Sequence, residues 1–88
     1  MALRAQEWNE IDRALAGGEP GARVVAELRR RYPHLSWTRC DATDVTETPF
    51  RAYALFDVHL VDGADHCVRI TPDLERASGF VVADRGVV

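Results

Sequence analysis

Three features of the chain predict an α+β domain: a β-hairpin pattern from Tyr53 to Thr71, two amphipathic helical patterns ahead of it, and a final apolar run after a short helical signal. Taken in order, they give two N-terminal helices packed on one face of a mainly antiparallel sheet of three to four strands. A short helix precedes the last strand. The 88 residues, 47% hydrophobic, suit one domain over residues 1–88, large enough to hold a core without metal or disulfide.

Leu3 to Ala16 reads as the first helix, because Trp8, Ile11 and Leu15 fall on one stripe and Glu7, Glu10 and Arg13 stay off it. Gly17 and Gly18 stop it. Pro20 suits the first turn of the second helix, whose buried stripe is Val24, Val25, Leu28 and Tyr32, with Glu27 and Arg31 spaced to pair. Pro33 closes it. The short connection makes the two helices antiparallel neighbours. Leu35 to Asp41 is then a strand, with Leu35 and Trp37 on one face and Ser36, Thr38 and Cys40 on the other. Trp8 and Trp37 both read as core anchors.

Asp41 to Pro49 is polar and threonine-rich, a loop with room for a ragged edge strand. In the hairpin, Ala54, Phe56, Val58 and Leu60 alternate with Leu55, Asp57, His59 and Val61. A three-residue loop at Asp62-Gly63-Ala64 sets Phe56 opposite Ile70, Val58 opposite Val68 and Asp57 opposite Arg69, keeping the apolar side chains on one face. Thr71 as N-cap, Pro72 at the first helical position and Gly79 beyond the last turn bracket a short helix. Phe80 to Ala83 is the last strand and Asp84 to Val88 a tail.

A net charge of −3 argues against a nucleic-acid binder held by phosphate contacts. All eleven basic residues are arginine, as a GC-rich genome favours. The mixed charges of Met1 to Ala16 do not resemble a signal peptide, and no apolar run is long enough to span a membrane, so the expected location is cytoplasmic. In a simple meander, Cys40 and Cys67 would stand two strand spacings apart, roughly 10 Å, beyond disulfide reach. Both thiols are expected to be reduced.

Asp44-Val45-Thr46-Glu47-Thr48-Pro49-Phe50-Arg51, together with Phe56-Asp57-Val58-His59-Leu60-Val61-Asp62-Gly63 and Asp65-His66-Cys67-Val68-Arg69-Ile70-Thr71, resembles a small bacterial family of unknown function. Some members of that family are associated with nitrogen-fixation gene clusters. The resemblance runs over most of the chain from the second helix onward. It implies a nitrogen-fixation setting and carries over no catalytic residue.

His59, Asp57, His66 and Cys67 form the densest group of potential ligands. The register above sets His59 opposite Cys67, which permits a zinc or iron site or a Cys-His pair. The spacing matches no established zinc motif, and the alternative is a solvated face crossed by an Asp57–Arg69 pair. Asp41, Asp44 and Glu47 lack the alternating ligands and central glycine of a calcium loop. Arg29, Arg30 and Arg31 complement the dipole at the end of the second helix. No Gly-rich phosphate loop, nucleophile elbow or Cys-x-x-Cys pair is present. The chain therefore reads as a non-enzymatic accessory or binding protein, with no catalytic residue and no cofactor, acting through a protein partner or a weak homodimer. Its expected binding face comprises Tyr53, Leu55, Asp57, His59, Val61 and Arg69. The alternative is a metal-binding or metal-delivery protein using His59 and Cys67.

Overall fold

The computed structural model describes residues 4–63 and 69–85. Two helices, α1 (Ala5–Leu15) and α2 (Gly21–Arg31), precede five strands: β1 (Ser36–Asp41), β2 (Arg51–Ala52), β3 (Phe56–Asp62), β4 (Arg69–Thr71) and β5 (Gly79–Asp84). They form one α+β arrangement with a mixed, mostly antiparallel sheet in the order β1-β5-β3-β2, β4 also pairing with β3.

The helices follow the expected stripes. Trp8, Ile11 and Leu15 of α1 and Val24, Val25 and Leu28 of α2 are buried in one cluster with Trp37, Phe56, Val58, Leu60, Phe80 and Val82. Phe80 lies between two tryptophans, stacked on Trp37 at 4.7 Å and on Trp8 at 6.0 Å between centroids, contacts worth about 0.5–1.5 kcal/mol each beyond their buried area. Around this apolar centre, α1 is held by its carboxylates. Tyr32 donates to Glu10 (2.6 Å), Tyr53 donates to Asp12, and His34 meets Glu7 at 2.9 Å. Glu27 pairs with Arg30 instead of Arg31.

The strand order departs from a meander. The last strand in sequence, β5, is internal, antiparallel to β3 and parallel to β1, so β1 neighbours β5 and not the hairpin. Gly79 permits this: a Cβ there would overlap Ser36, whose carbonyl oxygen would lie 2.5 Å away. The tight hairpin is β2–β3, turned by Tyr53 N–H donating to the Phe56 carbonyl. Among the described residues β4 pairs only with the far end of β3, Leu60 with Thr71, Val61 with Ile70 and Asp62 with Arg69.

This register lies five residues away from the expected one, since Ile70 faces Val61 and not Phe56. The cause is competition for one edge. β5 takes one side of β3 from Phe56 to Val61, and β2 takes Asp57 and Val58 on the other, leaving only the last residues for β4. Ile70 consequently shares the face of Val61, while Arg69 turns to the helix side with Asp62. The segment expected to be a short helix is a single 3₁₀ turn, Leu74–Arg76, with Asp73 and not Thr71 accepting the Glu75 N–H. Thr71 is a strand residue. A second 3₁₀ turn, Ala42–Asp44, opens the acidic loop.

Candidate functional site

The parallel pair β1 and β5 ends beside the first turn of α2, and the tip of the β2–β3 hairpin closes the same corner. Between them is a cleft of about 660 Å³ lined by Pro20, Gly21, Ala22, Arg39, Cys40, Asp41, Leu55, Asp84 and Arg85. Glycine at position 21 lets α2 approach, because a Cβ there would strike the Asp84 carboxylate. That carboxylate also accepts from Arg39 Nη2 at 2.7 Å and Nε at 3.1 Å.

Arg85 donates to Asp57 at 2.7 Å, and its backbone N–H donates to the Leu55 carbonyl. This replaces the expected Asp57–Arg69 pair. Arg39, Asp84 and Arg85 on the cleft wall are therefore matched by neighbours, and the exposed feature between them is apolar. Leu55 is 41% exposed, the one large hydrophobic side chain in that state among the described residues. Beside it, Cys40 is a free, half-buried thiol whose pKa is pushed up, first by burial and then by Asp44, Asp84 and Asp41. Such a thiol stays protonated and behaves as a small apolar group.

The six residues expected to form one binding face are divided by the fold. Leu55 stands in the cleft, and Asp57 is tied to Arg85. Tyr53 packs against the core on the helix side, its hydroxyl on Asp12 and its pKa raised first by burial and then by that hydrogen bond. Val61 is buried, and Arg69 is turned to the helix side.

His59 is buried on the face opposite the helices, opposite Val81 of β5, and its Nδ1 has no hydrogen-bond partner among the described residues. Cys67 and His66 lie outside the described residues. Among the described residues no three His, Cys, Asp or Glu side chains are grouped to hold a metal ion, and no helix is long and apolar enough to cross a membrane.

A family of unknown function matches residues 19–85, from the entry to α2 through the last residue of the cleft. The chain belongs to the DUF6129 family. No curated protein and no solved structure shows a significant match. The DUF6129 span includes every cleft residue and His59, while α1 precedes it.

Sequence reading missed Arg39, Asp84 and Arg85. Their partners come from parallel strands and a hairpin tip far apart in sequence, so no local period marks them. The usable signal was the alternation of Phe80 and Val82 continuing to Asp84, which extends the last strand past Ala83.

Proposed function

We propose that this DUF6129 protein is a small, non-enzymatic cytoplasmic accessory protein that acts through a protein partner seated in the Leu55 cleft. The exposure of Leu55 carries the reading. An apolar anchor point bordered by the Arg39–Asp84 and Arg85–Asp57 pairs has the apolar centre and polar rim of a protein interface. The setting we propose, on the strength of the sequence resemblance, is nitrogen fixation; a protein level that rises under nitrogen-fixing growth supports it, and an unchanged level counts against it. Affinity capture from the native host with wild type and Leu55→Lys tests the partner reading. The variant should keep the wild-type circular dichroism and melting temperature and lose the partner. An unchanged captured set refutes this use of the cleft.

A second reading, metal binding by His59 with Cys67, draws on the buried Nδ1 of His59, a nitrogen without a hydrogen-bond partner among the described residues. Zinc titration should then show about 1:1 binding that His59→Ala abolishes. Binding that survives both His59→Ala and Cys67→Ala excludes this pair.

A further inference from the structure

We infer that two copies of this chain join through the free edge of β1, antiparallel about a two-fold axis at Thr38, with each copy's acidic strand end set against the other's Arg29. The inference concerns the β1 edge, which borders the cleft through Arg39, Cys40 and Asp41 but does not use Leu55, and it stands without the partner reading.

The first observation is an unused ladder. Among the described residues β1 pairs only with β5 and ends the sheet. Ser36 N–H donates to Ser78, so Ser36, Thr38 and Cys40 turn their backbone groups inward, and Trp37, Arg39 and Asp41 turn theirs outward. Asp41 caps the Ala42–Asp44 turn, which takes up its carbonyl, but among the described residues the outward groups of Trp37 and Arg39 meet no other backbone group; Arg29 alone reaches them, donating to the Trp37 carbonyl at 2.9 Å. The strand carries neither proline nor bulge nor lysine, and its two charged residues, Arg39 and Asp41, are of opposite sign.

The second observation is charge. At the start of β1, Arg29 has the Trp37 carbonyl and Arg31 the Tyr32 ring, and neither has a carboxylate partner among the described residues. At the other end, Asp41 and Asp44 make no ion pair among the described residues. An antiparallel second copy brings these opposite ends together. With the axis at Thr38, Trp37 faces the second copy's Arg39 in a hydrogen-bonded pair, Thr38 faces Thr38, and Ser36 faces Cys40. Every pair keeps its face, as a continuous sheet requires. Asp41 shares the helix-side face with Trp37, so its carboxylate points toward the side from which the second copy's Arg29 reaches the edge.

Clearance is available. On α2, Ala22 and Ala26 are exposed and share the helical stripe of Arg29, so small side chains face the space a second α2 would enter. The contact is isologous and closes at two copies.

Sedimentation equilibrium of the full chain tests the inference. Wild type should dimerise at concentrations below about 1 mM, and Asp41→Arg and Arg29→Glu should each weaken the dimer about tenfold or more. The two together in one chain should restore the dimer to within about threefold of wild type. Arg39→Pro removes only an outward N–H and should give monomers, whereas Arg39→Ala, which loses the same ion pair to Asp84, should remain dimeric. Leu55→Lys should leave the dimer intact. A wild type that is monomeric at about 1 mM overturns the inference, as does a double charge variant no tighter than the single ones. The charge swap decides even where Arg39→Pro does not fold.

Discussion

Gly79→Ala tests the strand order at its tightest point. In the parallel β1–β5 pair Ser36 stands beside Gly79, and an added Cβ would overlap the Ser36 hydroxyl and lie 2.5 Å from its carbonyl oxygen and 2.8 Å from its Cβ. Rotation can move the hydroxyl. The carbonyl belongs to the ladder and moves only if β1 shifts away from β5, disturbing the Trp37–Phe80 stack one residue on. The cost should sit at the upper end of that for an extra methyl in a packed core, about 3 kcal/mol, and lower the melting temperature by roughly 15 °C in a domain of this size. Thermal and denaturant unfolding followed by circular dichroism measure it. Gly17→Ala is the control, with its nearest obstacle, the Ala14 carbonyl, at 3.2 Å, and it should change stability by less than about 1 kcal/mol. Since Ser36→Ala removes only the movable part of the clash, the double variant should recover less than half the loss. A Gly79→Ala protein that melts within about 3 °C of wild type would refute the close approach, and with it the placement of β5 inside the sheet.

Two further outcomes follow from the polar groups around the core. Folding raises the pKa of Tyr53 and Tyr32, so the folded chain holds protons that the unfolded chain releases above about pH 10. Their contribution is complete below that pH and lost as pH rises beyond it; Tyr53→Phe should flatten the alkaline decline in denaturant midpoint while costing about 1 kcal/mol at neutral pH, and an unaltered decline would count against the Tyr53–Asp12 bond. His59→Leu removes a buried nitrogen that has no partner among the described residues and should stabilise the chain by about 1 kcal/mol in urea unfolding; a loss of similar size would show that Nδ1 is satisfied in solution.

What the sequence disclosed was what local periodicity encodes. The stripe Trp8, Ile11, Leu15 and the stripe Val24, Val25, Leu28 each repeat within one helix, and both helices and their buried faces follow. Phe56, Val58 and Leu60 likewise declare a strand face by alternation alone. Pairing is a different matter. Val61, Ile70 and the residues around them satisfy alternation in more than one register, and the choice between registers is made by β2 and β5, which compete for the same strand from distant parts of the chain. The candidate site inherits this dependence. Leu55 was visible as an apolar residue on a mixed face, but the face was not the reason for its exposure. The hairpin turn carries it past the end of the sheet, and Arg85 holds the turn there through the Leu55 carbonyl and Asp57. Because that position depends on β5 being internal, a substitution at Gly79, distant from the cleft, should disturb the surroundings of Leu55 as well as the core, whereas Leu55→Lys should disturb neither. The fold and the proposed site can thus be separated by experiment in one direction only: the cleft can be lost from an intact sheet, but it cannot survive a sheet in which β5 has moved.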